Sequence, residues 1–184
     1  DMPRYFSRFC WKMAQEYGDD VKFWLTLNEP MVYASHAYWK GDWPPKKAGL
    51  FRYLRSIGNL ATAHRAAYAA IKHIQPEAQV GIAKNNIYFD GRGVDAAPAA
   101  LASWWWNRRF LNKIQDHQDF IGLNYYFHDR IRGLRFNQNE NKEANDLGWE
   151  IYPEGIHHCL LELRRYKKPL YITENGLADA ADTR

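Results

Sequence analysis

The chain has 184 residues, of which 46% are apolar and 16% aromatic. It can therefore bury one substantial core, which excludes a disordered chain. The net charge of +4 comes from 25 basic and 21 acidic residues, and the densest basic runs, 108–109 and 164–168, fall on or beside predicted helices. This distribution does not favour a nucleic-acid partner, and no apolar stretch reaches the roughly 18 residues of a membrane-spanning helix.

The two cysteines, Cys10 and Cys159, fall on widely separated predicted helices. Neither has the spacing of a zinc site, so the sequence predicts no metal and no cofactor. Such sparse cysteine usage is typical of a reduced protein, and we expect a cytoplasmic location.

In chain order the sequence predicts four helices that alternate with four short strands. Apolar residues spaced by three and four indicate the helices, and short apolar runs indicate the strands. A loop rich in Gly and Pro, from Gly41 to Gly49, follows the first strand. The predicted helices are 3–17, 54–74, 98–115 and 155–166, and the predicted strands are 21–27, 80–83, 119–123 and 169–173.

This alternation predicts an α/β fold with a parallel sheet whose strands are buried on both faces. No glycine-rich phosphate-binding loop follows any strand, which argues against a nucleotide site. A complete (β/α)8 TIM barrel needs roughly 250 residues. Four strands in 184 residues therefore indicate about half of one barrel.

Polar side chains repeatedly follow the ends of the predicted strands, where barrels and doubly wound folds build their sites. Two glutamates, Glu29 and Glu174, occupy matching positions of this kind, each directly after an apolar run and beside an asparagine. A surface or helix-capping role is the ordinary alternative for any glutamate. The matching contexts favour a reaction that uses two carboxylates.

The two contexts, Leu27-Asn28-Glu29-Pro30 and residues 172–176 (ITENG), resemble the signature motifs of glycoside hydrolase family 1, the β-glucosidase and β-galactosidase family. Residues 17–19 (YGD), 119–126 (DFIGLNYY) and 148–155 (GWEIYPEG) are similar to that family too, and in the same order. The resemblance implies that the chain covers the fourth to seventh strands of the family barrel. Residues 1–184 would then be a partial catalytic domain, truncated at both ends and lacking some of the sugar-binding residues.

By this resemblance Glu29 is expected to be the acid/base and Glu174 the nucleophile of a retaining glycosidase. Such enzymes place the two carboxyl groups about 5–5.5 Å apart. Asn28 is suited to hydrogen-bond the sugar 2-hydroxyl. Tyr126 is expected to hydrogen-bond the nucleophile, and Asn124 is a second candidate for the same role.

Asn85, Asn86 and Trp149 complete the predicted substrate-binding set. The two asparagines follow a strand and are candidates to contact the sugar or the leaving group, and Trp149 is a candidate wall of the leaving-group subsite. Packing is the alternative for the tryptophan. Met31 departs from the family pattern, in which a Trp or Asn is common, and this leaves the leaving-group preference open.

The expected substrates are β-linked glucosides, galactosides or short oligosaccharides, without a nucleic-acid or membrane partner, and the oligomeric state stays open. The alternatives are a thioglucosidase or non-hydrolytic relative of the family and a sugar-binding protein without catalysis. Relatives without ordinary hydrolysis commonly lack one of the two glutamates, whereas this sequence has both. An isolated half-barrel exposes strand edges, so we expect the 184 residues alone to be poorly soluble and inactive.

Overall fold

The computed structural model describes residues 1–182, which form two compact units. Unit 1 comprises Asp1–Lys84 and Phe110–Gly122, and unit 2 comprises Asn85–Arg109 and the described chain from Leu123 onward. Within residues 1–182, no helix has the length and apolar character needed to cross a membrane.

Helices and strands alternate along the chain. They are α1 (Met2–Tyr17), β1 (Phe23–Asn28), α2 (Pro30–Ala34), α3 (Leu50–Ile74), β2 (Gln79–Asn85), β3 (Tyr88–Asp90), α4 (Ala96–Ser103), α5 (Arg109–Ile114), β4 (Phe120–Tyr125), β5 (His128–Arg130), α6 (Glu154–Leu163) and β6 (Leu170–Asn175). Two π-helical segments, Ser35–Lys40 and Trp104–Arg108, continue α2 and join α4 to α5.

The core of unit 1 lies where the amphipathic helix α1 packs against α3. Its buried residues come from both helices and from the start of β2: Cys10, Ala14, Ala67, Ile71, Ala78 and Val80. Burial raises the pKa of the Cys10 thiol to about 11, so this side chain behaves as a small apolar group. Cys159 is also buried, and neither cysteine forms a disulfide.

The strands are hydrogen-bonded in the order β1-β2-β4-β6. In unit 1, β1 pairs in parallel with β2, with Trp24 opposite Val80. The pairing of β2 with β4 begins in unit 1, where the Asp119 amide donates to the Val80 carbonyl over 2.7 Å. Every residue of β4 is buried, as expected for a strand that is covered on both faces.

In unit 2, the short strands β3 and β5 form a separate parallel pair, with Tyr88 opposite His128. Helix α6 begins beside β4, and its Gly155 leaves room for the Tyr125 hydroxyl. A Cβ atom at position 155 would overlap that hydroxyl oxygen. The Tyr125 hydroxyl itself donates to the Tyr152 carbonyl over 2.6 Å.

The α/β class, the four main strands and the long helices are as the sequence predicts. The loop predicted from Gly41 to Gly49 is present, whereas residues 30–40, for which the sequence predicted no element, are helical. The strands also extend further than expected, because Asn85, Asn124 and Glu174 lie inside β2, β4 and β6 and not beyond their ends.

Candidate active site

The eight predicted site residues fall in both units. Asn28 and Glu29 belong to unit 1, whereas Asn85, Asn86, Asn124, Tyr126, Trp149 and Glu174 belong to unit 2. The separation expected for the two glutamate carboxyl groups stays a prediction.

Glu29 adopts a left-handed backbone conformation, with φ 45° and ψ 55°. Its amide donates to the Ala83 carbonyl over 2.8 Å, and its carbonyl accepts from the amides of Val32 and Tyr33, which begin α2. The backbone is therefore held on both sides in a conformation that costs a residue with a side chain about 1–2 kcal/mol. Such strained residues cluster at functional sites.

The pairing of β1 with β2 shifts register just before Glu29. Leu25 faces Gly81, but Asn28 faces Ala83, so β1 uses one more residue than β2 over this interval. An irregularity of this kind redirects the following side chains. Asn28 is exposed and Glu29 half-buried. Met31 is completely buried, so its departure from the family pattern lies in the interior of unit 1.

Thr26 is held beside this irregularity by the buried His64 of α3. The Thr26 hydroxyl lies 2.6 Å from His64 Nδ1, and His64 Nε2 lies 2.7 Å from the His117 carbonyl. Burial is the main cause that lowers the pKa of His64, from 6.5 to about 4. The neutral ring can donate through Nε2 while Nδ1 accepts from Thr26. His64 is thus a structural histidine that fixes the last residues of β1.

In unit 2, three successive residues at the end of β6 bond to the end of β4 and to the residue that follows it. The Tyr126 hydroxyl donates to Glu174 Oε2 over 2.8 Å, the contact expected from the sequence. The Thr173 hydroxyl donates to Asn124 Oδ1 over 2.6 Å, and Asn175 Nδ2 donates to the Tyr125 carbonyl over 2.7 Å. Asn124 is fully buried, so it contributes through Thr173 to the position of Glu174.

The two asparagines after the apolar part of β2 are both buried. Asn85 Oδ1 accepts a hydrogen bond from Trp106 Nε1 over 3.2 Å. Asn86 is 1% exposed, and within residues 1–182 neither polar atom of its side chain has a hydrogen-bond partner. A buried amide without partners is costly, so this side chain calls for a polar partner such as a water molecule or a ligand.

Trp106 contacts a predicted site residue, and the sequence did not reveal this contact. It lies in the π-helical segment Trp104–Arg108, which reaches Asn85 through the indole N–H. The neighbouring Trp104 and Trp105 instead lie under the Arg109 guanidinium, whose carbon is 4.2 Å from the Trp105 ring centre. Three consecutive tryptophans are the only signal in the sequence, and π-helical turns are frequent at functional sites.

Trp149 contacts both residues that follow β4. Its ring centre lies 6.2 Å from that of Tyr126 and 4.8 Å from that of Phe127. Two cavities of unit 2, of about 300 and 340 Å³, open beside these rings, and both are lined by Tyr126, Asn145 and Asn175. Tyr126, the donor to Glu174, therefore borders space for a small ligand, and Trp149 lines the larger cavity.

The chain matches the family model of Glycosyl hydrolase family 1 over residues 1–96 and 107–184. The chain belongs to glycosyl hydrolase family 1. A crystal structure of Fpglu1 from Fervidobacterium pennivoraus superposes on the whole chain with a TM-score of 0.91 and 31% identity, and the chain covers 45% of that structure. The partial (β/α)8 barrel predicted from the sequence is thereby confirmed.

Two relatives illustrate the range of the family. A chloroplastic β-glucosidase-like protein, SFR2, from Oryza sativa subsp. japonica is 30% identical over 97% of the chain, which covers 30% of that protein. A β-galactosidase from Pyrococcus woesei is 27% identical over 96% of the chain, which covers 46% of that protein. The chain thus spans less than half the length of these relatives.

Proposed function

We propose that the protein containing this chain hydrolyses β-glycosidic bonds with retention of configuration, using Glu174 as the nucleophile and Glu29 as the acid/base. Membership of glycosyl hydrolase family 1 supports this proposal. The observation that carries the assignment of Glu174 is the hydrogen bond from Tyr126 to its Oε2 beside two cavities. A carboxylate that is oriented by a donor, when that donor itself lines both cavities, is suited to attack a bound ligand.

In the first step, a carboxylate oxygen of Glu174 bonds to the anomeric carbon as the bond to the leaving oxygen breaks. Glu29 gives its proton to that oxygen, so the leaving group departs as an alcohol. In the second step, Glu29 takes a proton from water, whose oxygen bonds to the anomeric carbon and releases Glu174 as a carboxylate. Two inversions leave the sugar product in the β configuration.

The remaining polar residues are proposed to hold the sugar and its leaving group. Asn28, exposed next to Glu29, is assigned to the 2-hydroxyl, where hydrogen bonds strengthen in the transition state. The buried amide of Asn86 is assigned to a polar group of the ligand, and Trp149 to a face of the leaving group. Asn85 and Asn124 support these groups through Trp106 and Thr173.

The expected substrates are β-glucosides, β-galactosides or their short oligosaccharides, and we propose a cytoplasmic location from the sparse cysteine usage of the sequence. The 184 residues alone are expected to be inactive, because family relatives are more than twice as long. A thioglucosidase remains the alternative, and hydrolysis of an S-linked glucoside faster than its O-linked counterpart would favour it.

The test is the stereochemistry of the first product formed by the full-length protein. Proton NMR during hydrolysis of an aryl β-glucoside is expected to show β-glucose before mutarotation produces the α anomer. The α anomer appearing first would overturn the retaining mechanism. The same assay with Glu174→Gln is expected to show no product.

A further inference from the structure

Residues 144–152, called here the 144–152 hairpin, form a tight turn that is closed by its own backbone. Ala144 and Glu150 form an antiparallel bridge. The Asn145 amide donates to the Trp149 carbonyl over 2.9 Å, and Asn145 Oδ1 accepts from the amides of Leu147 and Trp149, each over 3.0 Å. The backbone of Trp149 is therefore fixed relative to that of Glu150.

His128 attaches this hairpin to the start of β5. The ring is 1% exposed, its Nε2 lies 2.6 Å from Glu150 Oε2, and it stacks on Tyr152 with ring centres 4.0 Å apart. Its Nδ1 has no hydrogen-bond partner in the described part of the chain. A ring with its one hydrogen on Nε2 suits this geometry, because it donates to the Glu150 carboxylate and leaves only a lone pair at Nδ1.

The hairpin meets the residues after β4 at two adjacent points. His128 bonds to Glu150, while Trp149 packs on Tyr126 and Phe127, which directly precede His128. The His128–Glu150 bond therefore sets how the Trp149 ring lies against Tyr126, the residue that donates to Glu174. The Trp149 side chain remains partly open, because the residue is 36% exposed.

We propose that His128 and Glu150 are positioning residues that hold Trp149 in the leaving-group subsite. This inference rests on the proposed function and adds to it two residues that act on the leaving group through Trp149. An aromatic ring gains from stacking on the indole face, whereas a methyl leaving group has no face to stack. A bond that only stabilised the fold would affect both substrates equally.

The test compares 4-nitrophenyl β-glucoside with methyl β-glucoside, two substrates that share the sugar and differ in the leaving group. The variants are His128→Ala, His128→Gln and Glu150→Ala in the full-length protein, with His73→Ala as the control. His73 is exposed on α3 and belongs to unit 1, so its replacement removes a histidine from a different unit than the one that contains the 144–152 hairpin. The amide introduced by His128→Gln can still donate a hydrogen bond to Glu150, so this conservative variant is expected to retain the position of Trp149.

We expect His128→Ala to lower kcat/KM for the aryl substrate about tenfold, mainly through KM, because a displaced positioning group commonly costs one to two orders of magnitude. The methyl substrate is expected to change less than about twofold, and His128→Gln to recover most of the loss. Equal losses on both substrates would overturn the inference while leaving the proposed function intact. The same conclusion would follow if His128→Ala or Glu150→Ala caused no loss on the aryl substrate. Inactivity of the unmodified protein on every β-glycoside would overturn the proposed function, and this inference with it.

Discussion

The hydroxyl of Tyr126 donates a hydrogen bond to Oε2 of Glu174 over 2.8 Å, across the ends of two neighbouring strands. The flanking bonds, from Thr173 to Asn124 and from Asn175 to Tyr125, hold the same strand ends in register. Glu174 is thus oriented by a direct donor and by the residues on either side of it. This arrangement allows the contribution of the direct donor to be measured separately.

Replacing Tyr126 by Phe is expected to lower kcat about 10- to 100-fold, because a hydrogen bond to a charged group contributes about 1.5–3 kcal/mol. The ring that contacts Trp149 is retained in this variant. Stopped-flow measurement of phenol release from an activated aryl β-glucoside reports the rate of the first step. Tyr5→Phe is the control, because Tyr5 is 62% exposed on α1. A Tyr126→Phe enzyme as fast as the unmodified protein would contradict the role given to Tyr126.

Replacing Glu29 by Ala is expected to slow hydrolysis severely, because neither the leaving group nor the attacking water then has a proton-transfer partner. Azide needs no general base, so its addition is expected to restore turnover of an activated aryl β-glucoside and to yield a β-glycosyl azide. NMR of the product checks the configuration. Formation of an α-glycosyl azide would contradict the roles given to Glu29 and Glu174.

Replacing Glu29 by Gly is expected to give a protein about 1 kcal/mol more stable than Glu29→Ala, because glycine adopts the left-handed conformation without steric cost. Urea unfolding of the two variants measures the difference. The control pair is Lys12→Gly and Lys12→Ala in the exposed part of α1. At this helical position the Ala variant is expected to be the more stable of the two, by a similar free energy of unfolding. Equal stability of the Glu29→Ala and Glu29→Gly variants would show that the backbone relaxes at this position.

The buried His64 predicts a loss of stability in acid. Its folded pKa of about 4 lies below its ordinary value of 6.5, so between these values the unfolded chain binds a proton that the folded chain does not. Stability from this group is complete above pH 6.5 and falls as the pH drops toward 4, by at most ~3 kcal/mol.

Urea unfolding at pH 7 and pH 4.5 tests this effect. The stability advantage of the unmodified protein over His64→Gln is expected to shrink at the lower pH, because the variant has lost the titrating ring. His73→Gln, at an exposed position of the same helix, is expected to leave the pH dependence unchanged. An advantage that is constant with pH would show that His64 does not titrate in this range.

The sequence predicted those parts of the fold that depend on long apolar patterns, such as α1, α3 and the buried strands. It failed where tertiary contacts outweigh local preference. Asn124 and Asn85 were expected beyond their strands because the apolar runs end before them, yet both lie within strands, where Thr173 and Trp106 bond to their side chains. The helical residues 30–40 were missed although Pro30 at the first helical position is a start signal.

Part of the candidate site could also be predicted from the sequence. The motif residues and the Tyr126–Glu174 contact follow from strand ends that lie side by side. His128 and Trp106 could not be predicted, because their partners Glu150 and Asn85 are about 20 residues away along the chain and no periodic pattern links them. Residues that act on a site through a second side chain are difficult to recognise in a single sequence.

The contact between Tyr125 and Gly155 constrains how this region of the protein can change during evolution. The hydroxyl of Tyr125 fills the volume in which any side chain at position 155 would lie. A mutation at position 155 alone would displace the tyrosine and its bond to the Tyr152 carbonyl, whereas a prior change of Tyr125 to a smaller residue would open the space. Viable replacements at these two positions are therefore expected to arise in a fixed order, with position 125 first.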